Sequence, residues 1–135
     1  MKVKELRIIL TVDNLDEIIT FYRDVAGLPV SKEWNDDGGH GTILEAGKAS
    51  IELIDKKDAA TIDQIEVGRR TAGPVRLALN IGKNIEQASE IFIEGGAIAL
   101  ADVKQAPWSK VRRLQDPAGM QFTLFETSTL YEDEK

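Results

Sequence analysis

The sequence predicts an α+β fold of two βαβββ modules related by a pseudo-twofold, with curved mixed sheets around a central cavity and helices outside. Three observations carry that expectation: an internal repeat, a period-2 apolar pattern that gives way to a helical one in each half, and glycine-rich turns between the short strands that follow. With 135 residues, 42% of them hydrophobic and 30% charged, the chain suits one globular domain over 1–135 rather than two independent ones or a disordered polymer.

The repeat fixes the modules. Arg7-Ile8-Ile9-Leu10-Thr11-Val12 lies over Arg76-Leu77-Ala78-Leu79-Asn80-Ile81 at an offset of 69, Asn14-Leu15-Asp16-Glu17 over Asn84-Ile85-Glu86-Gln87 at 70, and Ser50 to Ile54 over Gln121 to Phe125 at 71. Module 1 is expected at about 1–60 and module 2 at about 74–128, with a polar linker at about 58–73 and an acidic, solvated tail at 129–135.

Each module opens with a strand. Leu6, Ile8, Leu10 and Val12 form one face, and Glu5, Arg7, Ile9 and Thr11 the other; Val75, Leu77, Leu79 and Ile81 repeat the apolar face, with Arg76, Ala78 and Asn80 opposite. A helix follows, because Leu15, Ile18, Ile19, Tyr22 and Val25, and later Ile85, Ala88, Ile91 and Phe92, recur at helical spacing. Asn14 with Glu17, and Asn84 with Gln87, have the spacing of capping boxes, and glycines at 27 and 95–96 end the helices. Strands are then expected at about 29–34, 40–46 and 49–55, and at 97–103, 110–115 and 120–126, separated by turns such as Asp36-Asp37-Gly38-Gly39 and Asp116-Pro117-Ala118-Gly119.

Several function classes drop out. No cysteine is present, which excludes disulfides, thiolate nucleophiles and cysteine-bound metals. A net charge of -6 argues against nucleic acid as a partner. No apolar run reaches the roughly 20 residues of a membrane span, and Met1 to Arg7 does not resemble a signal peptide, so a cytoplasmic location is expected. Thr42 to Ala49 lacks the glycine and the hydroxyl of a phosphate loop, and no Gly-x-Ser-x-Gly elbow occurs.

Asn14-Leu15-Asp16 through Phe21-Tyr22-Arg23-Asp24-Val25-Ala26-Gly27, then Ile51-Glu52-Leu53 and Asp116-Pro117-Ala118-Gly119, resembles the vicinal oxygen chelate superfamily of glyoxalases, bleomycin-resistance proteins and extradiol dioxygenases. The resemblance implies that the metal-ligand positions of the superfamily fall at Arg7, Glu52, Arg76 and Thr123. A guanidinium has no lone pair to give a metal, so no metal and no cofactor are expected. The implied function is a metal-independent small-molecule-binding protein of the glyoxalase and bleomycin-resistance kind. An Arg7, Glu52 and Arg76 cluster beside Thr123 would either fill the vacated metal position as a structural network or grip an anionic or carboxylate-bearing ligand.

Phe125 shares the parity of Thr123 and is expected on the cavity wall, while Trp34 and Trp108 either stack on a planar ligand or seal the core. Lys110, Arg112 and Arg113 are expected on mostly solvated faces, with room for one to point inward. His40 follows a glycine turn, and its parity does not fix its face. A glyoxalase- or dioxygenase-like lyase or oxidoreductase with a divergent site would draw on His40, Glu45, Glu52 and Glu126. A protein-partner binding module is a further alternative. A homodimer is expected, since the modules have sheet edges to cover, and the sequence does not choose between modules paired within a chain and across subunits.

Overall fold

The computed structural model describes residues 1–127, so the acidic tail expected at 129–135 lies outside the described residues. Strand β1 (Glu5–Thr11) leads into α1 (Leu15–Thr20), which runs on as a π-helical turn over Phe21–Val25; β2 (Val30–Asp36), β3 (Gly39–Ala46) and β4 (Ala49–Ile54) complete the first module. The second module has β5 (Val75–Gly82), β6 (Ile98–Ala99), β7 (Lys104–Gln105), β8 (Lys110–Gln115) and β9 (Gln121–Glu126). Between the modules runs α2 (Lys56–Glu66), and α3 (Ile85–Glu94) follows β5.

The nine strands of the described residues belong to one sheet, ordered β2-β3-β4-β1-β5-β9-β8-β6, with β7 also on β8. β1 and β5 pair antiparallel at its middle, where Ile9 faces Arg76, and each pairs in parallel on its other side, β1 with β4 and β5 with β9. The two modules of this chain are thereby joined edge to edge by their first strands.

Side-chain alternation sorts the two faces. Leu10 of β1 and Val12 just beyond it pack with Leu44 and Leu53 against Leu15 and Ile19 of α1; Leu77, Leu79 and Ile81 of β5 do the same with Ile85, Ala88 and Phe92 of α3. Leu44 and Leu53 are wholly buried, and each contributes about 2 kcal/mol by leaving water. On the opposite face Ile9, Ile54, Ala78, Val111 and Phe125 gather with Ala59, Ile62 and Ile65 of α2.

Three local expectations are corrected. The stretch expected as a polar linker, 58–73, carries most of α2, whose N-cap Asp55 accepts the backbone N–H of Asp58 at 2.7 Å. The helix lies so close to β3 that a Cβ on Gly39 would stand 2.3 Å from the Asp58 nitrogen, and Gly39 holds φ at 137°, where a side chain would be strained. The strand expected at 97–103 is instead two short pieces, both on β8, because the chain bows out between them and Arg112 takes the Ala101 carbonyl at 3.1 Å. Neither asparagine caps its helix by side chain: Asn14 donates to Glu17 Oε1 at 2.6 Å. Asn84 is left-handed (φ 64°) instead of extended, so Glu126 from β9 accepts the Ile85 N–H at 3.1 Å in its place. Among the described residues no helix is long and apolar enough to cross a membrane.

Candidate functional site

The face of the sheet that carries α2 borders a cavity of about 970 Å³, lined by both modules and by α2. Register explains which side chains meet there. Arg7 on β1 lies beside Ala78 on β5, Ala78 beside Thr123 on β9, and Thr123 beside Arg113 on β8, while Glu52 on β4 and Arg76 on β5 flank Ile9 from either side. Cross-strand neighbours point to the same face, so these charged residues converge although they are far apart in sequence. Arg7, Glu52, Arg76, Thr123, Phe125, Trp34 and Trp108 all border the cavity.

Their pairing differs from the expected Arg7, Glu52 and Arg76 cluster. Arg7 spends its Nε and Nη2 on Glu5, at 2.8 and 3.3 Å, and its guanidinium carbon lies 4.7 Å from the centre of the Phe125 ring. Glu52 reaches Arg7 Nη1 only at 3.7 Å. Arg76 turns instead to Asp63 of α2, with Nη1 2.8 Å from Oδ1. The reason is the unanticipated helix, which brings carboxylates of its own.

Asp63 is the hub. Its Oδ1 accepts from Arg76 and from Arg113, both at 2.8 Å, while Oδ2 accepts from Arg70 and from the backbone N–H groups of Thr71 and Ala72 at 2.8 to 3.0 Å. Burial alone would push this carboxyl up, but the two backbone donors and Arg113 outweigh it and hold Asp63 down at about 2. Arg113, expected on a mostly solvated face, is wholly buried and also donates to Glu66 (3.0 Å), Thr123 (3.1 Å) and Gln121 (2.8 Å). The Thr123 hydroxyl donates in turn to Glu66 at 2.7 Å. Lys110 is exposed and Arg112 half-buried, so Arg113 is the member of that run that turns inward.

One donor edge stays open. Nε and Nη2 of Arg76, the pair that Arg7 uses to grip Glu5, are buried and have no hydrogen-bond partner among the described residues. Two of the carboxyls that border the cavity are raised from their ordinary values. Burial raises Glu52, opposed by Arg7 and Arg76 and reinforced by Glu66. Asp58, only 5% exposed, is pushed to about 7 by burial; hydrogen bonding from Trp34 resists the rise, and the charges of Glu52, Asp55 and Asp36 add to it.

The superfamily's metal position does not fit these residues. Arg7 and Arg76 repel a cation, Thr123 is already engaged by Arg113 and Glu66, and Glu52 leaves one carboxylate where about three protein ligands are needed. Among the described residues no group of three or more His, Asp or Glu gathers to hold a metal. The alternative set disperses as well. His40 shares the parity of Leu44 and sits 4.0 Å from Asp16 and 3.5 Å from Glu33, outside the cavity lining, and Glu126 caps α3, leaving Glu45 and Glu52 in the cavity.

Two βαβββ modules joined through their first strands, with a cavity bordered by both, define a protein of the vicinal oxygen chelate superfamily. Residues 7–125 match the sequence profile of the glyoxalase-like domain, and the chain belongs to that family. Its fold is similar to that of a hypothetical protein from Bacillus halodurans C-125 (TM-score 0.70, 18% identity, 95% of this chain and 96% of that one). It is also similar to methylmalonyl-CoA epimerase from Mycobacterium tuberculosis (0.67, 18%, 97% and 93%) and to a Streptomyces coelicolor methylmalonyl-CoA epimerase in complex with 2-nitronate-propionyl-CoA (0.66, 18%, 93% and 99%). No curated protein matches the sequence.

Proposed function

We propose that the protein binds a small organic anion in this cavity without a metal, the carboxylate or phosphate of the ligand docking on Arg76. The open Nε/Nη2 edge of Arg76 carries this reading. A guanidinium side edge matches two oxygens of one carboxylate or phosphate, and a buried donor without a partner costs about 1–3 kcal/mol until something accepts from it. Arg7 has no such edge to offer, because Glu5 holds it. The body of the ligand lies against Trp34, Trp108 and Phe125, which favours an aromatic or otherwise apolar acid. The complex of the Streptomyces epimerase with an acyl-CoA analogue is compatible with an anionic ligand on this fold.

The probes are phenylacetate and phenyl phosphate. Either is expected to raise the melting temperature of the wild type; at 100 times its Kd the gain corresponds to about 2.7 kcal/mol. Arg76→Lys keeps a cation for Asp63 but lacks the bidentate edge, and should lose the gain while still folding. An equal response in Arg76→Lys, or none in the wild type, would sink the reading.

A homodimer belongs to the same proposal, since β2 stands at one edge of the sheet and β6 and β7 at the other. Light scattering at tens of micromolar is expected to give twice the chain mass, and a monomer there would count against it.

A further inference from the structure

A second group in the cavity is chemically unfinished. Asp58 sits in the first turn of α2, its backbone N–H held by Asp55 and its backbone pressed onto Gly39 of β3, so the side chain has little freedom to swing toward water. It borders the cavity, and its Oδ2 is buried with no hydrogen-bond partner among the described residues.

The surroundings decide its form. Acids act on it from each side: Asp36 from β2, Glu52 from β4 and Asp55 from the cap of its own helix. β3 meets this turn with Gly39 and turns His40 away from the cavity, and the basic groups that border the same cavity are Lys4, Arg7, Lys32, Lys48 and Arg76. Trp34 Nε1–H is the donor on offer, and it can serve only one oxygen. A carboxyl buried among like charges keeps its proton, and a neutral carboxyl has an O–H that must find an acceptor.

We propose that Asp58 is a proton-bearing ligand contact, its Oδ2–H donating to an acceptor atom of the bound anion, so that this carboxyl sets the pH range over which the cavity holds its ligand. The inference rests on the anion-binding reading of the cavity and adds a second fixed point to it: Arg76 grips the charged end, and Asp58 meets an oxygen as a neutral acid. When Asp58 loses its proton the donor disappears, and a negative charge takes its place beside an anionic ligand.

The experiment is the affinity for phenylacetate by calorimetry between pH 6 and 8, where the probe itself stays ionised. With Asp58 titrating at about 7, roughly one molecule in ten keeps the proton at pH 8, and the wild-type affinity is expected to fall about tenfold over the range. Asp58→Asn, a neutral donor of the same shape, should bind with a flat profile, while Glu52→Gln should keep a fall displaced to lower pH, because one charge that raises Asp58 is gone. A flat wild-type profile, or a fall that persists in Asp58→Asn, would overturn the proposal.

If phenylacetate does not bind at any pH, the anion reading fails on its own, and carbon NMR of the aspartate carboxyls decides the rest. A resonance titrating near 7 and missing from Asp58→Asn upholds Asp58 as a cavity acid toward a ligand of another class. Titration near the ordinary value of about 4 ends both.

Discussion

Asp63→Ala is expected to destabilise the protein by about 4 kcal/mol, the range for removing one partner from a buried ion pair. The substitution strips Arg76, 2% exposed, of its hydrogen-bond partner, takes one acceptor from the wholly buried Arg113, and orphans the backbone N–H groups of Thr71 and Ala72. Arg113 keeps Glu66, Thr123 and Gln121, so most of the loss falls on Arg76 and the 71–72 turn. For a chain of this size the drop in Tm is roughly 10–20 °C, read by calorimetry. Asp63→Asn keeps the shape but removes the charge and turns one acceptor oxygen into an NH2 that faces donors, so it should destabilise as well. The pH dependence follows from the sign of the shift: Asp63 is held at about 2, below its ordinary 3.8, so its contribution is present above pH 4 and fades as pH falls through 2. A change under 1 kcal/mol in Asp63→Ala would mean that the hub is not where the buried arginines find their counter-charge.

Asp58→Asn should do the reverse and stabilise the protein at pH 8. Moving a carboxyl from 3.8 to about 7 on folding corresponds to roughly 4 kcal/mol, and the neutral amide escapes that cost. Because the folded value is raised, the Asp58 contribution favours folding below pH 4 and is lost progressively as pH rises to 7, beyond which it is constant. The gain in Asp58→Asn, measured by urea unfolding, is therefore expected to be under about 1 kcal/mol at pH 4 and largest above pH 7. Equal stability of the two proteins at pH 8 would contradict a buried, proton-holding Asp58. Taken with the binding profile, the result would mark a residue whose retention is unfavourable for folding, as expected of a group kept for a ligand.

How far the sequence could be read depended on whether a feature is local. The alternation in β1 and β5 is local, and by itself it puts Arg7 and Ile9, and Arg76 and Ala78, on the face opposite the apolar one that α1 and α3 cover. The parity of Thr123 and Phe125 did the same for β9. Pairing is not local. Nothing in Arg76-Leu77-Ala78 says that its guanidinium will meet Asp63 instead of Glu52, because that depends on where α2 docks. The helix itself is hidden by its polarity: the stretch at about 58–73 reads as a polar linker, yet Asp58, Asp63 and Glu66 are buried. A signal was present in the Asp55 cap followed by Ala59, Ile62 and Ile65, which fall on one helical face. Arg113 was obscured in a similar way, since its neighbours Lys110 and Arg112 are surface-like and only β9 and α2 together make an inward position tolerable.

The sheet order also bears on how the protein reaches its folded state. The hairpins β2-β3, β3-β4 and β8-β9 join strands close in sequence and can form early, whereas β1-β4, β1-β5 and β5-β9 each close long stretches of chain before their contacts are rewarded. Asp63 comes from the segment between the modules, Arg76 from a central strand and Arg113 from a late hairpin, so no single early unit contains the hub. The cavity is accordingly expected to close only with the last docking events. Substitutions at Asp63 should accelerate unfolding while leaving the rate of folding nearly unchanged.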